Sequence, residues 1–263
     1  MRRLILLTND DGIAAAGLEV LSRHLAAVGD VLVAAPDREQ SAVGHGVSLT
    51  RPLRAHELST GRFAISGTPA DCVLLALYHL CPRRPDLVVS GINLGVNLGT
   101  DVFYSGTLAG ALEGAMHDLP SLAVSQELPG VRAGQDASLG ELLEQTASFA
   151  SRVGEQLIER PLPPGVCVNL NAPPVPTRRF VWTRLGRRTY REQVERRLDP
   201  RGKPYYWIGG PPLTGNGHPG TDSHAIERGL ISLTPLGLDL TVPLPEECRG
   251  WQLPGLSEAT GED

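Results

Sequence analysis

The sequence has no apolar segment long enough to cross a membrane and no cysteines at a metal-binding spacing. The apolar run at residues 4–7 is too short for a signal peptide and ends in Asn9-Asp10-Asp11, so it predicts a first strand. The four cysteines form no CxxC motif, which indicates reduced thiols. They are Cys72, Cys81, Cys167 and Cys248. We therefore expect a soluble, cytoplasmic protein with no membrane partner.

An excess of positive charge is also missing. Lys and Arg total 24 against 29 Asp and Glu, which gives a formal net charge of −5 and a pI near 5.8. This balance argues against a general polyanion binder, so no nucleic acid is expected as an obligate partner. A phosphate ester would have to be attracted locally, by a cation or by the end of a helix.

The chain does have the composition of a globular protein. Its 263 residues are 41% hydrophobic and can bury one sizeable core. Up to residue 171, short apolar runs alternate with helical stretches. Strands are predicted at 4–8, 31–35, 47–50, 63–66, 86–90, 121–125 and 166–170, and helices at 14–28, 69–80, 107–117 and 139–159. This alternation predicts an α/β, Rossmann-like core, residues 1–171, with a mostly parallel sheet and helices on both faces.

The remainder of the chain has a different character. Residues 172–240 are predicted to form an appended arm or hairpin region with closing elements, and residues 241–263 an irregular tail. Ten basic residues lie between Arg178 and Lys203, but acidic residues interrupt them, which favours a solvated or interface-pairing surface over nucleic-acid binding. Aromatic residues are concentrated in this region, and five of them predict self-association. They are Trp182, Tyr190, Tyr205, Tyr206 and Trp207.

Two adjacent carboxylates follow the first predicted strand. Ligands of an open parallel sheet bind beyond the carboxyl ends of its strands, so this loop is a candidate site. Asp10 and Asp11 would repel each other unless a cation lay between them, and such oxygen ligands suit Mg²⁺ or Mn²⁺. Gly12 permits a tight turn. A helix-capping turn is the alternative for this motif taken alone.

Two later loops offer neutral oxygen ligands. Ser41 could provide a hydroxyl to a metal. Asn93 or Asn97, in a Gly- and Asn-rich loop after the strand at 86–90, could provide a carbonyl oxygen to a cation or an N–H to an anion. An ordinary turn is the alternative for this loop. His45, between two glycines, is a weaker candidate because a lone histidine is more often structural.

The segment Tyr104-Ser105-Gly106-Thr107 directly precedes a predicted helix. Backbone N–H groups at a helix N-terminus bind anions, and the hydroxyls add donors for phosphate, although plain N-capping is the alternative. In the similar segment 66–71, Thr68, Pro69 and Asp71 predict a capping box. Together the loops place a carboxylate pair, neutral oxygens and an anion-binding helix end along one edge of a sheet. These are the components that hydrolysis of a phosphate monoester requires.

Several motifs, in this order and spacing, resemble those of the SurE survival protein family. They are Leu6-Leu7-Thr8-Asn9-Asp10-Asp11-Gly12, Ala35-Pro36-Asp37-Arg38-Glu39-Gln40-Ser41, Ser66-Gly67-Thr68-Pro69-Ala70-Asp71, Ser90-Gly91-Ile92-Asn93, Tyr104-Ser105-Gly106-Thr107, Gly220-Thr221-Asp222 and Ser232-Leu233-Thr234-Pro235-Leu236. The resemblance covers residues 3–240 and leaves only the C-terminal tail unassigned.

The resemblance implies a Rossmann-like nucleotidase that dephosphorylates nucleoside 5′- and 3′-monophosphates. It implies one divalent cation per subunit, Mg²⁺ or Mn²⁺, and a homodimer or homotetramer with exchanged arms. The implied metal ligands are Asp10, Asp11, Ser41 and Asn93, of which the two aspartates are also catalytic. The implied phosphate- and substrate-binding residues are Asn97, Ser105, Gly106 and Thr107. The proline-containing tail argues against a long exchanged C-terminal helix.

Two alternatives come from other classes of protein. A phosphatase of the haloacid dehalogenase type, which forms an aspartyl phosphate, needs two aspartates separated by one residue, whereas Asp10 and Asp11 are adjacent. A non-catalytic nucleotide-binding regulator would use glycines at this turn and would avoid negative charge beside the phosphates.

Overall fold

The computed structural model describes residues 2–128, 138–188, 194–208, 217–243 and 245–246. The strands are β1 (Leu4–Thr8), β2 (Asp30–Pro36), β3 (Ala55–Ser59), β4 (Arg62–Ile65), β5 (Leu87–Leu94), β6 (Ser121–Gln126), β7 (Val166–Ala172), β8 (Phe180–Trp182), β9 (Val194–Leu198), β10 (Pro204–Ile208) and β11 (Ile231–Gly237). The helices are α1 (Ala16–Leu25), α2 (Pro69–Leu75), α3 (Gly106–Met116), α4 (Leu139–Glu159) and α5 (Asp222–Glu227). A π-helical turn, Ala76–Leu80, continues α2, and a 3-10 turn, Gly99–Tyr104, precedes α3.

Nine strands form one sheet in the order β3-β4-β2-β1-β5-β6-β7-β11-β8. Neighbouring strands are parallel except in the pairs β3–β4 and β7–β11. The chain leaves β1 for β2 on one side and later adds β5 on the other, so the strand order reverses at β1. Such a reversal opens a crevice at the carboxyl ends of the two central strands, which here are β1 and β5.

Both faces of the sheet are covered by helices. Ile5 and Leu7 of β1 pack in the core cluster that contains residues of α1 and α4, whereas Leu4 and Leu6 pack in the cluster that contains residues of α2. This alternation follows from the two-residue period of a strand, and burial on both faces explains why all of β1 is apolar until Thr8. The predicted α/β, Rossmann-like fold is confirmed.

One predicted strand is wrong. Residues 47–50 are not a strand, and β4 pairs with β3 in an antiparallel hairpin. The backbone N–H of Ser48 donates to Asp71 Oδ1 at 2.9 Å, so a side chain at the start of α2 holds this segment. Leu49 is 89% exposed, and the segment therefore has no apolar face to bury.

Beyond residue 171, where the predicted arm region begins, the chain contributes two more strands to the main sheet. β11 pairs with β7 and β8 pairs with β11, because Ile231 and Leu233 of β11 are buried in the main core. In the described part of 172–240, β9 and β10 form a separate hairpin whose residues are exposed. Tyr190 and most of the predicted tail lie outside the described residues. Among the helices that are described, none is long and apolar enough to cross a membrane.

Candidate active site

The loop after β1 is closed by a buried asparagine. Asn9 accepts a hydrogen bond from the Gly12 N–H at 3.2 Å and donates its amide N–H to the Gly12 carbonyl at 3.0 Å. Gly12 has a φ of +98°, which glycine adopts at little cost. This turn directs the intervening carboxylates, Asp10 and Asp11, into the crevice between the loops that follow β1 and β5.

The N-terminus of α3 holds the carboxylate of Asp10. The Thr107 hydroxyl donates to Asp10 Oδ1 at 2.6 Å, and the Thr107 N–H donates to Oδ2 at 3.0 Å. The positive end of a helix dipole stabilises such an anion. A Cβ atom at Gly106 would lie 2.9 Å from both Cβ and Oδ2 of Asp10, so glycine permits this approach. Thr107 therefore donates its hydroxyl and its backbone N–H to Asp10, and Gly106 leaves the space for this contact.

Most of the predicted site residues line one cavity of about 670 Å³. The predicted residues in its wall are Asp10, Asp11, Ser41, Asn93, Asn97 and Ser105. The additional residues of the wall are Glu39, Ala42, Leu94, Val96, Asp101, Tyr104, Val194 and Ile208. Gly106 and Thr107 lie behind Asp10 and are not part of the wall. The folded chain thus brings together residues from four separate loops and from the β9–β10 hairpin.

The neutral side chains of the cavity are oriented by local hydrogen bonds. Ser41 donates to Glu39 Oε1 at 2.7 Å. The Asn93 amide N–H donates to the Gly95 carbonyl at 2.8 Å, so the carbonyl oxygen is the atom that Asn93 can offer to a cation. Ser105 Oγ accepts from the Leu108 N–H at 3.0 Å. Ser105 is therefore the N-cap of α3, and its hydroxyl hydrogen can still be donated to an anion.

A polar cluster beneath the Gly- and Asn-rich loop was missed by the sequence analysis. The Asn97 N–H donates to Asn171 Oδ1 at 2.8 Å, and the Asn97 carbonyl accepts from the amides of Asn169 and Asn171 at 2.9 and 3.1 Å. The Asn97 amide N–H donates to Ser125 Oγ at 2.8 Å. The available signal was the alternation of the two asparagines in β7, which puts them on the same face of the strand.

Asp222 holds two segments near the site together. The sequence analysis identified it only as part of the motif Gly220-Thr221-Asp222. This fully buried carboxylate accepts from the N–H groups of Gly99 and Gly186 at 2.7 and 2.8 Å. It joins the turn before α3 to the segment that leads towards the β9–β10 hairpin. Arg188 in that segment forms an ion pair with Asp101 at 2.9 Å. These contacts hold the turn before α3 against the segment that contains Gly186 and Arg188.

The carboxylate pair is electrostatically unfavourable without a cation. Burial is the main cause that raises the pKa of Asp10. Burial, followed by the negative charge of Asp10, raises the pKa of Asp11 to about 6. Across the described ranges, no three His, Cys, Asp or Glu side chains are grouped to hold a metal, so neutral oxygens would have to complete a ligand set. Two carboxylates with hydroxyl and amide oxygens suit Mg²⁺ or Mn²⁺, and the residues fit such an ion.

A larger cavity of about 870 Å³ lies elsewhere, between α4 and β8. Its wall includes the apolar side chains of Phe149, Phe180 and Trp182. It is built from a helix face and an edge strand, and the carboxylate pair and the α3 N-terminus are not part of it. The cavity at the ends of β1 and β5 is therefore the candidate active site.

Comparison with known proteins identifies the family of this chain. The family model described as "Survival protein SurE" matches residues 5–192. A relative named "5'-nucleotidase SurE" from Moorella thermoacetica is 51% identical over 246 residues, which cover 90% of this chain and 91% of the relative. A relative named "5'-nucleotidase SurE 1" from Thermus thermophilus is 48% identical over 245 residues, 90% and 92% of the two chains.

A solved structure has the same fold. The crystal structure of the SurE protein from Aquifex aeolicus superposes with a TM-score of 0.77 at 38% identity, and the match covers 90% of this chain and 94% of that one. The family suggested by the sequence motifs is thereby confirmed. The chain belongs to the SurE survival protein family.

Proposed function

We propose that this protein is a divalent-metal-dependent 5′-nucleotidase that hydrolyses nucleoside monophosphates to a nucleoside and phosphate. The names of the relatives support nucleotidase activity. The observation that carries the proposal is the meeting of Asp10, Asp11 and the N-terminus of α3 in one cavity. Without a cation, the two carboxylates would repel a phosphate dianion, whereas a cation bound to both of them would attract it.

The proposed ligands of the cation are Asp10, Asp11, Ser41 and Asn93. A divalent cation supplies charge to neutralise phosphoryl oxygens and lowers the pKa of water. Asp10 accepts two hydrogen bonds from Thr107, so its carboxylate is held in a fixed position. Asp11 is less buried and accepts a long bond of 3.4 Å from the Leu94 N–H. Because its carboxylate is less firmly held than that of Asp10, Asp11 is the better candidate for positioning the attacking water and accepting its proton.

The phosphate is proposed to lie against the N-cap of α3. Ser105 can donate its hydroxyl hydrogen to a phosphoryl oxygen, and Asn97 lies in the same wall. Glu39 adds negative charge to that wall, so diphosphates and triphosphates are expected to be poorer substrates than monophosphates. Both 5′- and 3′-monophosphates are expected to react, because these groups contact the phosphoryl group and not the sugar.

The nucleoside would contact an apolar part of the cavity. The end of β5 and the segment that joins it to α3 contribute Leu94, Val96 and Tyr104. The β9–β10 hairpin contributes Val194 and Ile208. Apolar contacts discriminate weakly between ligands, so base preferences of about ten- to a hundredfold are expected. A single base favoured by more than about ten-thousandfold in kcat/KM would contradict this assignment.

Charge-neutralising variants of the two aspartates test the proposal. Phosphate release from AMP in the presence of Mn²⁺ is measured for Asp10→Asn, Asp11→Asn and the control Asp30→Asn, which removes an exposed carboxylate paired with Arg2. Each site variant is expected to lower kcat by at least about a hundredfold, because it removes charge from the cation site. The Asp30 variant should retain wild-type turnover, and Ser41→Ala should have a milder effect. Wild-type turnover in both site variants would show that the site is misplaced.

The same assay separates the alternatives. A non-catalytic nucleotide-binding regulator would bind AMP without releasing phosphate. An aspartyl-phosphate mechanism would leave a radiolabelled phosphoenzyme after acid quenching, which the metal-assisted attack of water does not. We expect phosphate release with no trapped phosphoenzyme.

A further inference from the structure

The segment of residues 41–48, here called the site loop, contributes Ser41 and Ala42 to the wall of the cavity. It is neither helix nor strand, and its backbone has left-handed φ angles of +58° at Ala42 and +59° at Gly44. A segment without regular hydrogen bonding depends on individual contacts for its position. The position of the Ser41 hydroxyl relative to the aspartates is therefore set by whatever anchors this loop.

Three hydrogen bonds to its backbone and the side chain of His45 anchor the site loop. At its C-terminal end, the Ser48 N–H donates to Asp71 Oδ1 at 2.9 Å. The Gly44 N–H donates to the Tyr104 carbonyl at 3.1 Å, and the Thr68 hydroxyl donates to the Gly46 carbonyl at 2.7 Å. Between these two contacts, His45 Nε2 lies 2.8 Å from Glu113 Oε2. The histidine thus provides the side-chain contact at the centre of the loop.

Glu113 connects this anchor to the same helix that holds Asp10. It lies in the middle of α3, its side chain is 5% exposed, and its other oxygen is 3.3 Å from His117 Nε2. A buried carboxylate needs hydrogen-bonding or charged partners, and the two histidines provide these partners for Glu113. His117 is the C-cap of α3, and its ring packs edge-on against Tyr78 and not against the site loop. The two histidines therefore contact one carboxylate, but only His45 transmits that contact to the loop.

We propose that His45 is a positioning residue for the metal site. Through its ring nitrogen and Glu113 it ties the site loop to α3, and so keeps Ser41 opposite Asp10 and Asp11. This inference rests on the proposed function, because Ser41 and the aspartates are proposed cation ligands. Partners that orient metal ligands typically change metal affinity by about ten- to a hundredfold when they are removed.

The test compares substitutions of the two histidines that contact the carboxylate of Glu113. Mn²⁺ affinity of His45→Ala and of the matched control His117→Ala is measured by electron paramagnetic resonance, together with their melting temperatures. We expect His45→Ala to weaken Mn²⁺ binding about tenfold and His117→Ala to change it less than about twofold, since only the first frees the loop. His45→Gln keeps an N–H donor of similar reach and should restore most of the affinity. Equal effects of the two alanine variants, or no effect of either, would overturn the proposal.

Hydrogen exchange tests whether His45 anchors the loop independently of metal binding. In metal-free protein, the Gly44 amide should exchange at least about tenfold faster in His45→Ala than in wild type, and at the wild-type rate in His117→Ala. If the wild type failed to bind Mn²⁺, the proposed metal site would be wrong, whereas the exchange rates would still decide whether His45 anchors the loop. Unchanged exchange at Gly44 in His45→Ala would overturn the anchoring role.

Discussion

Replacing Thr107 by Val removes one of the two bonds that stabilise the buried Asp10 carboxylate. Thr107 is fully buried, and its hydroxyl donates to Asp10 Oδ1 at 2.6 Å. Valine has nearly the same shape, so the variant loses this bond without creating a cavity. A hydrogen bond to a charged group contributes about 1.5–3 kcal/mol. We expect the free energy of unfolding of metal-free protein to fall by about that amount at pH 8.

The pH dependence of this loss identifies its cause. Burial raises the pKa of Asp10 above its ordinary value, and the hydrogen bonds from Thr107 oppose that rise. Removing one bond raises the pKa of Asp10 further, which destabilises the folded state wherever Asp10 is ionised. The destabilisation should therefore be complete at pH 8 and should shrink as the pH falls through the raised pKa of Asp10 towards pH 4.

Urea unfolding followed by circular dichroism measures both effects. The control Thr107→Ser keeps the hydroxyl and loses one methyl group, which should cost about 0.5–1.5 kcal/mol at every pH. A Thr107→Val variant as stable as the wild type, or one with the same deficit at pH 8 and pH 4, would refute the view that this hydroxyl stabilises an ionised Asp10.

Three further predictions follow from the same site. Mn²⁺ affinity should fall about tenfold between pH 7 and pH 5, because the pKa of Asp11 is raised to about 6 and a proton competes with the cation; a calorimetric titration with no pH dependence would contradict this. Gly106→Ala should lower kcat/KM for AMP about a hundredfold, because the added Cβ would lie 2.9 Å from Asp10. The control Gly140→Ala should keep wild-type activity, because a Cβ there would have no atom within 4 Å. Light scattering at micromolar concentration should show a homodimer or homotetramer, and substitution of the exposed Tyr206 and Trp207 by serine should weaken it; a monomeric wild type would oppose that prediction.

The parts of the fold that depend on local pattern were predictable from the sequence. The apolar run of β1 ends in polar residues at the crevice, as expected for a strand buried on both faces. The capping box predicted for Thr68 and Asp71 is confirmed, with both reciprocal hydrogen bonds present. Such features are determined by residues a few positions apart, so sequence spacing is sufficient to identify them.

The parts that depend on distant contacts were not predictable. The sequence cannot show that the donors of Thr107 are taken by Asp10 in a different loop, or that His45 reaches Glu113 across 68 positions. Nor does local pattern show that β11, an antiparallel strand far along the chain, completes the main sheet. In each case the partner is chosen by tertiary packing, on which a single sequence gives no information.

The central claim is tested most directly by phosphate release from AMP with and without a divalent cation. After chelation, and with metal content shown to be nil, the account predicts no hydrolysis, and addition of Mn²⁺ or Mg²⁺ should restore it. Undiminished hydrolysis by the metal-free protein would contradict the metal-dependent site at Asp10 and Asp11. Absence of phosphate release under every metal condition would contradict the nucleotidase assignment.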